Sequence, residues 1–213
     1  MFENLQGFFE STSGQIVTIG VIAIMFLFIL IPSKEEKNQR ADTKAVTLSA
    51  LLVALATGLG MLKLFEMPYG GTVTVFSMLP IALCGYFLGT RRGVMAGMCV
   101  GLLNLIFGPY IIHPVQLLVD YPFAFGALGL SGLCRHQNNG LVKGYTLGLF
   151  ARYVCAVISG IVFFGAYAPE GFNAVTWSLF YNFTYLAAEG VLTVVIISLP
   201  PVKKALEGLK KQL

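Results

Sequence analysis

Six long apolar segments joined by short polar turns leave this chain few ways to fold. They run at about 45–64, 72–88, 94–107, 114–133, 141–166 and 174–199, and a seventh, IVTIGVIAIMFLFILI, precedes them at 16–31. The runs are too long for barrel strands and lack the alternating polarity of a lumen-facing strand, so they are helices. A bilayer needs about 20 such residues per crossing. With 56% hydrophobic residues and only 11% charged, the chain falls outside the soluble globular class. The segment at 16–31 is expected to stay on the protein as a helix. Glu3 and Glu10 precede it, no Lys or Arg does, and no small-residue cleavage site follows. The expected fold class is all-α integral membrane. It comprises a six-helix core at 45–213, an additional N-terminal transmembrane helix at 1–32 and a polar cytoplasmic linker at 33–44.

The basic residues set the expected orientation. Lys34, Lys37, Arg40 and Lys44 follow the first helix, Arg91 and Arg92 come two helices later, and Arg135 and Lys143 two later again. Lys203, Lys204, Lys210 and Lys211 end the chain. All fall on one side, which the positive-inside rule makes cytoplasmic. The opposite loops hold Glu66, His113 and Glu170, with Lys63 at a helix end. The N-terminus is thus expected outside and the C-terminus inside, in a multi-pass protein of the cell membrane. The net charge of +4 is a topology signal in contact with the lipid bilayer, not a nucleic-acid surface. Cys84, Cys99, Cys134 and Cys155 are scattered without CxxC spacing, so neither a metal nor a disulfide framework is expected. No GxxxxGK[ST] motif occurs, and no cofactor is implied.

One carboxylate breaks the apolar pattern. Asp120 sits in PYIIHPVQLLVDYPFAFGALGLSG, followed by Tyr121 and Pro122. A lone acid at membrane depth is costly and marks a functional site. Asn182 lies at similar depth in the last apolar run, and the neighbouring loops carry Tyr69, Tyr110, Phe163, Phe164, Tyr167, Trp177, Tyr181 and Tyr185. An interfacial aromatic belt accounts for any one of these rings. Helix-to-helix hydrogen bonding accounts for Asn182 about as well as a ligand contact does. Taken together, a carboxylate and stacking rings suit a flat cationic ligand. Arg152 is the other charge inside the bundle. It either pairs with Asp120 or snorkels toward the cytoplasm. Gly58, Gly60, Gly97, Gly101 and Gly108 are read as helix-packing positions. No second acid, His or Cys is found to face Asp120, so an enzyme is not expected.

The segments MPYGGTVTVFSMLPI, HPVQLLVDYPFAFGALGLSG, RYVCAVISGIVFFGAYAPEG and WSLFYNFTY resemble, in order, the thiamine-specific S component (ThiT) family of energy-coupling factor transporters. The likeness runs from about residue 45 to the C-terminus. It implies a six-helix substrate-capture subunit that binds thiamine from outside. Its partners would be one transmembrane coupling protein and two ATPase subunits, which is consistent with the missing nucleotide motif. By the same resemblance, Asp120 and Tyr121 match the family's acid–tyrosine pair, and Tyr110, Phe164, Trp177 and Asn182 match ligand-contacting positions. Ala50 and Ala54 match its small-residue docking face on the coupling protein. The chain departs from the family pattern at Ala156, where a histidine is usual, at Trp177 in place of tyrosine, and at Gly71 in place of a tryptophan. Two other readings stay open: a thiamine precursor or other aromatic cation as ligand, and a membrane assembly protein in which Asp120 and Arg152 form a stabilising pair.

Overall fold

The computed structural model describes residues 43–213 together with Ser11, Ser13 and Val17. The expected helix at 1–32, those three residues apart, and the linker as far as Asp42 lie outside the described residues. Thr43 and Lys44, assigned to the linker, already belong to the first helix, α1 (Thr43–Gly60). That helix buries Ala45, Leu52 and Ala56 and turns Leu51 and Leu55 outward.

The first departure from the all-helical expectation follows α1. β1 (Lys63–Glu66) and β2 (Thr72–Thr74) form an antiparallel hairpin, so two expected helical segments each lose an end. The local chemistry explains it. Pro68 cannot extend a ladder, Gly70 turns back with φ 95°, and Thr72–Val73–Thr74 is β-branched. Tyr69 is carried into the left-handed region at φ 66°, and the Met67 N–H closes the turn on the Gly71 carbonyl at 2.7 Å.

α2 (Met78–Leu88) is apolar on every side and almost wholly buried. α3 (Thr90–Asn104) begins four residues before the expected apolar run, taking Arg91 and Arg92 into its first turn. α4 (Pro114–Cys134) is a continuous helical path whose pitch changes three times: α-helical turns, a π-turn at Val119–Phe123, an α-turn, then a 3-10 stretch from Leu128. α5 (Gly140–Phe163) and α6 (Ala174–Ser198) complete the bundle. α1, α4, α5 and α6 are long and apolar enough to cross a membrane. Their outward faces carry Phe150, Phe180, Phe183 and Val191, as lipid contact requires.

Glycines let α3 and α4 touch backbone to backbone. A Cβ on Gly97 would lie 2.2 Å from the Phe125 carbonyl oxygen, and one on Gly101 2.4 Å from that of Tyr121. A Cβ on Gly129 would lie 2.0 Å from the Val94 nitrogen. Gly97 and Gly101 therefore pack as expected. Gly58 meets nothing within 4 Å, and Gly108 sits in a loop at φ 87°, so neither is a packing position.

A further helix, α7 (Pro200–Gln212), was not expected within the basic tail. The Pro-Pro pair breaks α6 and starts α7. α7 lies across one end of the bundle: Lys203 donates to Asn139 Oδ1, and Lys210 donates to the Arg135 carbonyl and stands 3.9 Å from the centre of the Tyr86 ring. Leu206 packs inward while Leu209 stays exposed. The α1 start, the α2–α3 and α4–α5 turns and α7 thus gather the basic residues at one end, and the hairpin occupies the other.

Candidate functional site

At the hairpin end the bundle opens into a cavity of about 370 Å³, walled by the hairpin, the α3–α4 loop, α4, α5 and α6. Tyr110, Asp120, Tyr121, Phe164, Trp177 and Asn182 all line it. Its size falls in the range of small-ligand pockets, roughly 300–1,000 Å³.

The carboxylate is positioned by a deliberate irregularity. Pro122 has no N–H to give the helix, and around it α4 widens into the π-turn that holds Asp120. Gln116, one turn earlier and only 2% exposed, donates from Nε2 to Asp120 Oδ2 at 2.7 Å. The same amide donates to the Tyr110 carbonyl, while its Oε1 accepts from the Ile112 N–H. The side chain therefore ties the carboxylate to the loop that carries Tyr110. Sequence reasoning missed this residue, although its i, i+4 spacing to Asp120 was legible. His113 caps α4, its Nδ1 accepting from the Val115 N–H at 3.1 Å while the ring stacks on Phe163.

Arg152 does neither of the things expected of it. It lines the cavity, its guanidinium carbon 3.9 Å from the centre of the Phe125 ring, and it acts on Asp120 only at longer range. Its Nη1 is buried without a hydrogen-bond partner. The Asp120–Arg152 pair of the assembly reading is thus not formed. Ser159, also in the wall, sits close enough to influence Asp120, yet its hydroxyl meets no hydrogen-bond geometry.

Two groups of rings line the cavity. One joins Tyr110 to Phe164 (5.9 Å between centres), Phe164 to Tyr167 (6.1 Å) and Tyr167 to Tyr69 (4.9 Å). The other pairs Trp177 with Tyr181 at 5.6 Å. Trp177 is placed by the α6 start, where Asn173 and Thr176 form a reciprocal capping box. Tyr121 does not point a free hydroxyl at the cavity alone: its oxygen accepts from the Tyr110 N–H at 2.9 Å. Asn182 serves helix packing as well as lining. Its Nδ2 donates to the Ser178 and Ala156 carbonyls, and its Oδ1 accepts from the Tyr185 hydroxyl at 3.0 Å. Gly160 makes room, since a Cβ there would meet Ser178 Oγ at 2.1 Å.

A second buried acid, Glu189, escaped the sequence reading altogether. It is 3% exposed on α6, and Thr74, Ser77 and Met78 take up both its oxygens. Its place inside the apolar run 174–199 was the same signal that marked Asp120, but its partners, 111 to 115 residues away, left no local trace. Ala50 and Ala54 stand far from the cavity wall, both exposed on one face of α1.

Membrane-crossing helices around a cavity at one end define a polytopic membrane protein built to hold a small solute. The sequence profile described as "Thiamine transporter protein (Thia_YuaJ)" matches residues 46–207. The chain belongs to that thiamine transporter family, whose function is transport rather than catalysis. It is 32% identical to the thiamine transporter ThiT of Bacillus subtilis (strain 168) over 168 residues, covering 72% of this chain and 85% of that protein. It is 33% identical to ThiT of Lacticaseibacillus paracasei (strain ATCC 334) over 139 residues, covering 57% and 69% respectively. The solved structure of ThiT from Listeria monocytogenes has the same fold, with a TM-score of 0.62 at 22% identity, covering 76% of this chain and 97% of that one.

Proposed function

We propose that this chain is the substrate-capture subunit of an energy-coupling-factor importer, taking thiamine from outside for ATP-driven uptake by a shared module. That module would be one transmembrane coupling protein and two ATPase subunits. The observation that carries the reading is one cavity in which the Asp120 carboxylate stands among two aromatic banks, in a chain of the thiamine transporter family. In this reading Asp120 meets the thiazolium charge. Phe164, Tyr110 and Trp177 stack on the rings. Tyr121 and Asn182 hold the polar edges. The capture domain is 45–213, and Ala50 and Ala54 dock the coupling protein.

Trp177 is the only tryptophan in the chain and lines the cavity, so it reports occupancy directly. Thiamine added to the purified protein in detergent is expected to quench its fluorescence saturably. Absence of any response would overturn the reading and favour the assembly role. A response to a pyrimidine precursor but not to thiamine would reassign the ligand, as the room left by Ala156 permits.

The proposed orientation places the cavity end outside and α7 in the cytoplasm. In a background free of native cysteines, Glu170→Cys should react with an impermeant maleimide added to whole cells, and Asn138→Cys should not. Both positions are exposed, at opposite ends of the bundle. Glu170 is preferable to Gly171, whose φ of 89° disfavours any side chain. The reverse labelling pattern would invert the topology.

A further inference from the structure

We infer that Glu189 is a positioning residue of the binding cavity: it clamps the root of strand β2 to α6, and so sets where the hairpin wall stands. The inference rests on the cavity being the thiamine site. Glu189 is the only charged residue in the 25 residues of α6, and among the described residues no cation forms an ion pair with it. A carboxylate so placed is destabilising unless neutral donors satisfy it. Here they do: Oε2 accepts from the Thr74 N–H at 2.9 Å and from Thr74 Oγ1 at 2.7 Å. Oε1 accepts from Ser77 Oγ at 3.4 Å and from the Met78 N–H at 3.3 Å, at the start of α2. The four donors run from the last residue of β2, Thr74, through Ser77 to the first residue of α2, Met78.

The other end of the same strand is also held by α6. The Gly71 N–H donates to the Tyr181 hydroxyl oxygen at 2.9 Å, and that hydroxyl donates to the Pro68 carbonyl. Tyr181 and Glu189 are eight residues apart, about 12 Å along the helix. From the end of β1 to the start of β2, Glu66, Met67, Tyr69, Gly70, Gly71 and Thr72 line the cavity. β1 is exposed along its whole length, so the wall is held from the β2 side and by the contacts of Met67 with Thr184 and of Tyr69 with Tyr167. Helix α6 also presents Trp177 and Asn182 to the cavity. One helix therefore carries cavity-lining groups and both anchors of the hairpin wall.

The test uses the full chain in detergent. Glu189→Gln keeps the shape but turns an N–H₂ toward donors, leaving two of them unsatisfied. Thiamine should then dissociate on the order of tenfold faster, as expected for the loss of a charge-assisted hydrogen bond. Tyr181→Phe should act on the same wall, so the double variant should lose less affinity than the product of the single losses. Thr74→Val, which removes the hydroxyl's contacts with Glu189 and Ser77 but keeps the carboxylate and the Thr74 N–H bond, should show a smaller increase in dissociation and covers the case that Glu189→Gln does not fold. A lowered ligand-free melting temperature with unchanged dissociation would overturn the inference, leaving Glu189 a purely structural residue. Multiplicative losses in the double variant would overturn it too. If the unmodified protein binds no thiamine, the functional reading has failed, and hydrogen exchange decides the clamp alone. Faster exchange confined to residues 67–77 in Glu189→Gln supports it, and unchanged exchange there overturns it.

Discussion

Asp120→Asn is expected to weaken thiamine binding by about 30-fold to several thousand-fold, the range for removing one member of a buried charge-assisted pair. Only one carboxylate oxygen is committed, to Gln116 at 2.7 Å. The asparagine keeps the volume but deletes the charge: its Oδ1 can still accept from Gln116, which leaves an amide donor where the second carboxylate oxygen stood. Asp120→Glu should be far milder, because the charge survives. Tyr121→Phe should fall between the two: it frees the Tyr110 N–H and so loosens one ring of the aromatic bank. Ligand-free melting separates these effects from folding. Since Arg152 rests on Phe125 instead of pairing with Asp120, Asp120→Asn should melt near the parent temperature, and adding Arg152→Gln should rescue nothing. Fluorescence titration and thermal melting of all the variants are the measurements. A folded Asp120→Asn protein with undiminished thiamine affinity would remove Asp120 from the site.

The second large effect is expected on transport without any effect on binding. Ala50→Trp or Ala54→Trp should leave thiamine affinity intact and reduce ATP-dependent uptake by the assembled importer to background. Both alanines face outward on α1, while Leu52 and Ala56 hold the helix to the core from its other side. An outward indole therefore meets no part of the cavity. It does block a close helix–helix approach, which small residues permit and large ones forbid. Vesicle uptake with the coupling protein and ATPases present is the assay. Normal uptake by both variants would place the docking face elsewhere.

The features legible in the sequence were those with local causes. Asp120 stood out as a costly acid in an apolar run, and the spacing of Arg91, Arg92, Arg135 and Lys143 grouped the charges at one end; the π-turn around Pro122 was not expected. The hairpin was not legible because KLFE and TVT are too short to show a period of two and merge with apolar runs on either side. The amphipathic helix α7 was readable in principle from Leu206 and Leu209 set among lysines, but attention to charge hid its periodicity. Glu189 and the partners of Arg152 depend on contacts between distant helices, about which local pattern carries no information. Asn182 shows the same limit in reverse: the sequence raised both of its possible roles, and the structure shows one side chain lining the cavity and bridging α6 to α5 at once.

The glycine seam between α3 and α4 has a consequence for how such a site can diversify. At Gly97, Gly101 and Gly129 even one added carbon would fall within 2.0 to 2.4 Å of the neighbouring backbone. No side chain fits without prising the helices apart, so inheritance can alter little there. The acid and its tyrosine ride on that unyielding half. The positions where this chain departs from the family pattern, Gly71, Ala156 and Trp177, lie on the hairpin, α5 and α6, where side chains meet side chains. Under the proposed role of Asp120, substitutions at those three positions should retune the shape of the pocket without moving its carboxylate.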